Sequence, residues 1–189
     1  MDAREYKLVF TGPMGAGKTT AIRTASVIQV VATEVLNNDR EQCDKDTTTV
    51  AMDYGEVMLS GGSKLRLYGT PGQARFAYMW SILARGAVGV IVLLDGSRAD
   101  ALKDLEQYVT HFVEVVGQDR LVVAVGRIEN SNVSLTDYNR CAQSLGLALP
   151  VVTADVRKRE DVLMLLEILF SQVEIASVFD PVDGATITP

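Results

Sequence analysis

Short, unbroken apolar runs alternate along this chain with segments in which apolar residues recur at helical spacing. The unbroken runs lie at 6–11, 88–94 and 121–125, and they predict parallel strands that are buried on both faces of a sheet. Helical spacing extends over 99–116 and 160–175. Strands that alternate with helices in this way predict an α/β layered fold.

One pair of strands departs from this alternation. The runs at 50–60 and 64–68 flank Gly61-Gly62, a two-residue hairpin signal, so these strands are expected to be antiparallel neighbours. A two-residue turn would place residues whose numbers sum to 123 opposite each other. The predicted architecture is a six-stranded, mostly parallel sheet with one antiparallel edge strand and helices on both faces.

The remaining segments complete one domain, which we predict over residues 1–176. They are a helix from Lys18 to about Ala32, a loop over 37–49, a helix after 69–73 that ends near 85, a helix over 136–145 with Thr136 as its N-cap, and a strand over 150–153. Residues 177–189 are expected to form a flexible tail.

Composition narrows the functional classes. The 189 residues are 48% hydrophobic and 22% charged, which is typical of a globular protein. The net charge of -6 argues against nucleic-acid binding and against attraction to anionic membranes. Two cysteines are too few for a disulfide framework and favour a reducing cytoplasm. Neither Met1-Asp2 nor the terminal Thr188-Pro189 carries a lipidation motif, so no direct membrane anchor is expected.

The strongest chemical signal is the pattern G-x-x-x-x-G-K-T, which lies between the strand at 6–11 and the helix that begins at Lys18. Glycines let the backbone curl around a phosphate, and the helix N-terminus adds partial positive charge there. Lys18 would reach the β- and γ-phosphates, and the Thr19 hydroxyl would bind Mg²⁺. The predicted nucleotide-binding residues of this P-loop are Gly12, Met14, Gly15, Ala16, Gly17, Lys18, Thr19 and Thr20. The alternative is a glycine-rich turn that matches the pattern by chance. A chance match would not be expected to have a strand before it and a helix after it.

A second motif, Leu67-Tyr68-Gly69-Thr70-Pro71-Gly72-Gln73, follows the hairpin and closes a strand. It resembles the switch II motif D-T-A-G-Q of Ras-like small GTPases, and the later Trp80 is similar to the Arf subgroup. The sequence Thr-Pro-Gly-Gln is most similar to that of bacterial Ras-like GTPases of the gliding-motility type. It is also similar to small GTP-binding proteins paired with roadblock-type partners. The resemblance extends in order and spacing over about 5–175, and residues 47–53 support it.

The resemblance implies GTP and GDP as ligands, together with Mg²⁺, and it gives roles to three residues. Gly72 would sense the γ-phosphate through its N–H, and Gln73 would orient the attacking water. Thr49 would contact Mg²⁺ through its hydroxyl, with Thr47 and Thr48 as neighbours able to replace it. The alternative for these threonines is a β-favouring run that enters a strand.

The sequence departs from this family at Gly69, where most small GTPases place the Asp that holds the Mg²⁺ shell. With the hairpin turn at Gly61-Gly62, Asp53 would lie opposite Thr70 on the adjacent strand. We therefore predict that Asp53 supplies the missing carboxylate and belongs to the metal site. The alternative is a solvated strand carboxylate, although Asp is disfavoured in strand interiors.

The base-reading motif N-K-x-D of the family is replaced by Gly126-Arg127-Ile128-Glu129. Glu129 keeps a carboxylate for guanine N1 and N2, one methylene further out, and the alkyl stem of Arg127 is able to cover the purine face. Gly126 cannot make the bonds of an Asn, and losing such contacts costs about 1–3 kcal/mol each. In the last of the family's base-binding loops, represented here by Thr153-Ala154-Asp155, the backbone N–H of Ala154 would donate a hydrogen bond to guanine O6. Weakened affinity or weakened guanine selectivity is therefore expected.

The catalytic arginine that precedes the switch I threonine in relatives of the gliding type is absent, because that position is Thr48. Arg75 and Arg40 are the available substitutes, and for each the alternative is an exposed surface or partner-contact residue. Without such an arginine GTP hydrolysis is expected to be slow, since that group alone is worth ~10³–10⁵ in rate.

Together these features predict a small cytoplasmic GTP-binding switch with slow Mg²⁺-dependent hydrolysis, in which 37–49 and 70–79 respond to the bound nucleotide. A partner protein, of the roadblock type by resemblance, would read that response. Phe76 and Trp80 are candidates for the partner surface or for the core. Two alternatives stay open: a pseudo-GTPase scaffold that binds nucleotide weakly, and a P-loop small-molecule kinase, for which the chain offers few lid arginines.

Overall fold

The computed structural model describes residues 4–35 and 50–179. Its strands are β1 (Glu5–Thr11), β2 (Val31–Val35), β3 (Val50–Met58), β4 (Lys64–Gly69), β5 (Gly89–Asp95), β6 (Leu121–Gly126) and β7 (Val151–Thr153). Its helices are α1 (Lys18–Ala25), α2 (Ala77–Ala84), α3 (Ala101–Val116), α4 (Leu135–Ser144) and α5 (Arg159–Phe179). No helix within these two ranges is both long enough and apolar enough to span a bilayer.

The seven strands form one sheet in the order β2-β3-β4-β1-β5-β6-β7. Strand β3 is antiparallel to both of its neighbours, and every other pair is parallel. The predicted α/β architecture with a mostly parallel sheet is confirmed. The sheet has one strand more than the six predicted, because β2 adds to its edge and leaves the antiparallel strand β3 in second position.

The additional strand comes from a segment that was predicted to be helical. Helix α1 ends at Ala25, not near Ala32, because Ser26 adopts extended backbone angles. The Ser26 hydroxyl then accepts the N–H of Ile28 at 3.2 Å and the N–H of Glu56 in β3 at 3.0 Å. These bonds turn the chain toward β3, where the β-branched residues that follow pair as a strand.

The register of the β3–β4 hairpin differs by one from the prediction. Tyr54 pairs with Tyr68 and Met58 with Lys64, so paired numbers sum to 122 and not 123. The connection has five residues, and the N–H of Leu59 donates to the carbonyl of Ser63 at 2.8 Å. This longer turn changes the register, because the length and type of a turn set the pairing of its strands.

Helices cover both faces of the sheet, as predicted, and the two faces carry separate apolar clusters. Val90 and Val92 of β5 face the cluster formed with α2, α3 and α4. Ile91 and Leu93 face the cluster formed with α1 and α5. The central strands are therefore buried on both sides, which explains their unbroken apolar sequences.

Two predicted boundaries are corrected at helix ends. The N-cap of α4 is Ser134 and not Thr136: the Ser134 hydroxyl accepts the N–H of Asp137 at 3.3 Å, and the Asp137 carboxylate accepts the N–H of Ser134 at 3.0 Å. Helix α5 continues to Phe179, so the first three residues of the predicted tail are helical. Residues 180–189 lie outside the described residues.

Replacement of Ser134 by alanine is expected to lower the free energy of unfolding by about 1 kcal/mol, because α4 loses its capping box. Urea unfolding measures this change. Thr136→Ala is the matched control: Thr136 is exposed inside α4, and alanine is the better helix former there. A loss at Thr136 as large as the loss at Ser134 would contradict the assigned cap.

Candidate functional site

The P-loop connects the end of β1 to the start of α1 at the carboxyl edge of the parallel sheet. Gly12 has φ 135°, and a Cβ at this residue would lie 2.0 Å from the carbonyl oxygen of Leu93 in β5. Only glycine fits so close to a neighbouring backbone. The strand, loop and helix thus meet in the arrangement that the sequence pattern predicted.

Lys18 is buried beneath this loop, and its ammonium group is held by backbone oxygens. Its Nζ donates to the carbonyl of Gly12 at 2.7 Å and to the carbonyl of Pro13 at 2.8 Å. Burial lowers the pKa of Lys18 to about 8, although the nearby Asp53 carboxylate acts in the opposite direction. An ammonium group has three N–H donors, so these two bonds leave one for an anion at the loop.

Asp53 of β3 lies beside the first turn of α1. The Thr19 hydroxyl donates to the Asp53 carboxylate at 2.5 Å. A Cβ at Gly69 would lie 3.2 Å from both Cβ and Oδ2 of Asp53, so this side chain fills the space left by the glycine. With the observed register Asp53 is level with Gly69 and not with Thr70, and the position predicted from the two-residue turn is wrong.

The oxygens of Thr19 and Asp53 are ligands that fit Mg²⁺, which takes hydroxyl, carboxylate and phosphate oxygens. Thr49, Thr47 and Thr48 lie outside the described residues. Within the ranges 4–35 and 50–179 no group of three or more His, Cys, Asp or Glu side chains is arranged to hold a metal. A metal at this point would therefore depend on the Thr19 hydroxyl, the Asp53 carboxylate and phosphate.

Residues 70–79, here called the switch segment, begin directly on the P-loop. A Cβ at Gly72 would lie 2.6 Å from the backbone N of Met14 and 2.8 Å from Nζ of Lys18. Any side chain at this residue would collide with the loop. Gly72 therefore lies next to the cation and the backbone amide that would face a terminal phosphate.

Buried side chains support the switch segment from below. The hydroxyls of Thr70 and Thr11 form a buried hydrogen bond at 2.8 Å. The indole N–H of Trp80 donates to the carbonyl of Pro71 at 2.9 Å, and the Tyr108 hydroxyl donates to the carbonyl of Gly72 at 3.4 Å. Trp80 and Tyr108 stack with ring centroids 4.5 Å apart.

These contacts decide between the two interpretations of the aromatic residues. Trp80 is 1% exposed and Phe76 is buried, so both belong to the core and not to a partner surface. Tyr108 lies in the middle of α3, where helical spacing predicts only core packing. Sequence reasoning missed its contact with Gly72, because nothing local indicates that a helical tyrosine reaches a loop 36 residues away.

The predicted catalytic residues lie at the start of a short turn that precedes α2. The carbonyl of Gln73 accepts the N–H of Phe76 at 3.0 Å. Arg75 is exposed, and its guanidinium lies 4.9 Å from the centre of the Phe76 ring. Among the described residues Arg75 makes no hydrogen bond to the P-loop. Arg40, the other candidate arginine, lies outside the described residues.

A cavity of about 600 Å³ opens beside the P-loop, between it and the ends of β5, β6 and β7. This volume is in the range of small-molecule sites. Its lining includes six residues that the sequence predicted for nucleotide binding: Ala16, Gly17, Thr20, Arg127, Glu129 and Ala154. It also includes Asp95, Val156, Arg157, Lys158 and Asp161, which the sequence analysis did not select.

Arg127, one of the predicted base-site residues, has charged and polar partners in the cavity wall. Its backbone is left-handed, with φ 53°. Its guanidinium forms an ion pair with Asp95 and donates to the carbonyl of Gly15 in the P-loop at 3.4 Å. Burial raises the pKa of Asp95, but the hydrogen bonds from Ser97 and the Arg127 charge outweigh it, so this pKa lies below its ordinary value.

The other predicted base-site residues differ in exposure and in their hydrogen-bond partners. Glu129 is exposed, with the Asn130 amide 3.5 Å away. The N–H of Ala154, predicted to meet guanine O6, donates to the carbonyl of Val125 at 3.2 Å. On the far wall, Arg157 binds both oxygens of Asp155 at 2.8 and 2.7 Å and lowers the pKa of that carboxyl to about 2.

Comparison with known proteins agrees with a nucleotide site. The family model described as conserved hypothetical ATP binding protein matches residues 10–127. An uncharacterized protein of Methanocaldococcus jannaschii is 30% identical over 106 residues, which are 56% of this chain and 61% of that protein.

Ras-related proteins of Dictyostelium discoideum are also similar. Rab-5B is 22% identical over 147 residues, which are 76% of this chain and 64% of that protein. Rab-11C is 24% identical over 132 residues, which are 68% of this chain and 54% of that protein. The chain therefore spans between 54% and 64% of the length of these three relatives. The similarities support a nucleotide-binding P-loop protein related to Ras-like proteins.

Phosphate binding is expected to take up a proton near pH 8.5, because the pKa of Lys18 is about 8 in the free protein and a bound phosphate raises it. Affinity should accordingly fall as the pH rises above 8, where the free lysine becomes neutral. Calorimetric titration with GDP in two buffers of different ionisation enthalpy measures the uptake. In the Lys18→Arg control the cation stays charged, and no uptake is expected. Identical enthalpies in both buffers for the unmodified protein would contradict the assignment.

Proposed function

Because this chain belongs to the family of conserved hypothetical ATP-binding proteins, whose model matches more than half of it, we propose that it is a nucleotide-dependent molecular switch. In the form that we favour, it binds GTP with Mg²⁺, hydrolyses it slowly to GDP and phosphate, and signals through a partner protein. One observation carries the proposal: Gly72 of the switch segment lies against the P-loop beside Lys18. A phosphate gained or lost there changes what Gly72 contacts.

The P-loop would bind the triphosphate through Lys18 and the backbone amides at the start of α1. Mg²⁺, when bound, would supply positive charge that offsets the charge of the phosphates. Thr19 would contact it, and Asp53 would orient Thr19 through their hydrogen bond. By the resemblance to small GTPases, the Thr49 hydroxyl would be a further Mg²⁺ ligand.

The switch segment would carry the signal, because it connects the phosphate site to the surface. Trp80 and Tyr108 hold the carbonyls of Pro71 and Gly72, so a shift at Gly72 is passed to α2. Tyr78 and Ile82, one helical turn apart on α2, are 65% and 61% exposed. We propose that this apolar pair meets a partner protein of the roadblock type.

The proposed site is expected to show only weak selectivity for the base. The Glu129 carboxylate would accept hydrogen bonds from N1 and N2 of guanine, whereas N1 of adenine has no proton to donate. Glu129 is exposed, however, and Gly126 contributes no side chain, so a preference for GTP over ATP is expected to be small. The family description names ATP, which makes ATP the competing ligand.

The second candidate function is an interaction scaffold of the pseudo-GTPase kind. Two observations favour it: Gly126 offers no side-chain bond to a base, and the Arg75 guanidinium lies over the Phe76 ring. A scaffold would bind nucleotide weakly and would not need to hydrolyse it.

Calorimetric titration of GTP, GDP and ATP with Mg²⁺, followed by a phosphate-release assay, tests the proposal. We expect binding of GTP, a preference over ATP of only a few-fold, and slow release of phosphate. Gln73→Leu should lower the release rate while leaving GTP affinity unchanged, because Gln73 is proposed to orient water. A preference for ATP would overturn the GTP assignment, absence of binding would favour the scaffold, and transfer to a small acceptor would favour a kinase.

Asp53→Ala is expected to weaken the Mg²⁺-dependent part of GTP binding by about tenfold, because Thr19 loses the partner that orients its hydroxyl. GTP affinity in excess chelator should change little. Glu56→Gln is the matched control: Glu56 lies three residues further along β3 and contacts Tyr54 and Lys64. Equal Mg²⁺ dependence in the Asp53 variant and the unmodified protein would exclude the role proposed for Asp53.

A further inference from the structure

The guanidinium of Arg127 connects three parts of the cavity wall. It extends from the loop after β6, pairs with Asp95 at the end of β5, and donates to the Gly15 carbonyl of the P-loop. The ion pair joins residues 32 positions apart. This bridge lies beside Gly126, the residue that offers no side chain of its own.

Asp95 is the fixed member of the pair. Its side chain is 11% exposed, and it accepts the Ser97 N–H at 3.1 Å and the Ser97 hydroxyl at 2.6 Å. Its backbone lies level with Gly126 in the parallel pairing of β5 and β6. Asp95 is thus anchored by β5 and by Ser97, independently of Arg127.

Arg127 is the movable member. Its side chain is 53% exposed, so packing alone does not hold it in one place. A long side chain loses conformational entropy when it is fixed, and an anchored carboxylate offsets that cost with a charge-assisted hydrogen bond. The position of the Arg127 stem along the cavity therefore depends on Asp95.

We infer that Asp95 is a positioning residue, which holds Arg127 so that its alkyl stem lies against the purine ring of a bound nucleoside triphosphate. This inference rests on the nucleotide binding proposed above. The Asp95–Arg127 pair would connect the P-loop to the base pocket. Gly126 cannot make this connection, because it has no side chain. Asp95 therefore affects the contribution of base stacking on Arg127 to nucleotide affinity, and it does not affect the contribution of phosphate binding.

Asp95→Asn is the discriminating variant. The Asn carbonyl oxygen still accepts the Ser97 bonds, so the local turn is retained. Its amide group then presents N–H donors to a guanidinium that has only donors. The change therefore releases Arg127 while altering the size and burial of residue 95 very little.

The experiment compares two ligands: GTP, and inorganic tripolyphosphate as the ligand without a base. In Asp95→Asn, GTP affinity is expected to fall about tenfold, as for loss of a partly exposed charge-assisted hydrogen bond. Tripolyphosphate affinity should change less than about twofold, because the bonds of Lys18 to the P-loop carbonyls are unchanged. A general structural defect would weaken both ligands together.

Asp104→Asn is the matched control. Asp104 pairs with Arg98 at 2.8 Å, and its side chain is 13% exposed, close to the value for Asp95. This pair lies at the start of α3 and is not part of the cavity lining. Both ligand affinities should stay unchanged in this variant.

A double variant tests whether Asp95 acts through Arg127. Arg127→Met keeps a flexible apolar stem but cannot donate to Asp95. If Asp95 only positions Arg127, adding Asp95→Asn to Arg127→Met should cause no further loss of GTP affinity. Additive losses, or an unchanged ratio of GTP to tripolyphosphate affinity in Asp95→Asn, would overturn the inference while leaving nucleotide binding intact. Failure of the unmodified protein to bind GTP would instead remove the proposed function and the inference with it.

Discussion

The buried ammonium group of Lys18 is the interaction on which the rest of the site depends. A charge removed from water needs hydrogen bonds, and the carbonyls of Gly12 and Pro13 supply them. Those bonds keep the P-loop curled over the first turn of α1. They also leave positive charge where Gly72 meets the loop. Strand, helix and switch segment are therefore organised around one cation.

The neighbouring carboxylate shows how a chemical group can be supplied from a different strand. Asp53 of β3 fills the space that Gly69 of β4 leaves open, and it binds the Thr19 hydroxyl. Asp53 is able to fill this space only in the observed register, because a shift of one residue would turn its side chain to the other face of the sheet. The five-residue turn between β3 and β4 therefore matters for the site as well as for the fold.

The part of the site proposed to bind phosphates is held by more buried contacts than the part proposed to bind the base. Buried contacts to Thr11, Trp80 and Tyr108 hold the phosphate end. The base end has an exposed Glu129 and a glycine at 126, and its best-defined link is the pair of Arg127 with Asp95. Under the proposed function, such a site would recognise phosphates more firmly than it would discriminate between bases.

The α/β class, the P-loop and the buried central strands follow from the amino-acid sequence alone. These features are local: Gly12–Thr19 is contiguous, and an unbroken apolar run reports burial on both faces wherever it occurs. Strand β2 was missed because it is short and only residues 26–30 separate it from α1, so the predicted helix extended into it. The hairpin register was wrong by one because Gly61-Gly62 indicates a turn without giving its length.

Contacts between residues far apart in the chain depend on how the strands and helices pack. The contact of Asp53 with Gly69 depends on strand register, and the contact of Tyr108 with Gly72 depends on the packing of α3. The pairing of Asp95 with Arg127 requires that the ends of β5 and β6 lie side by side. Each is a contact between residues far apart in the chain, and the pattern of one segment holds no information on which partner the fold brings to it.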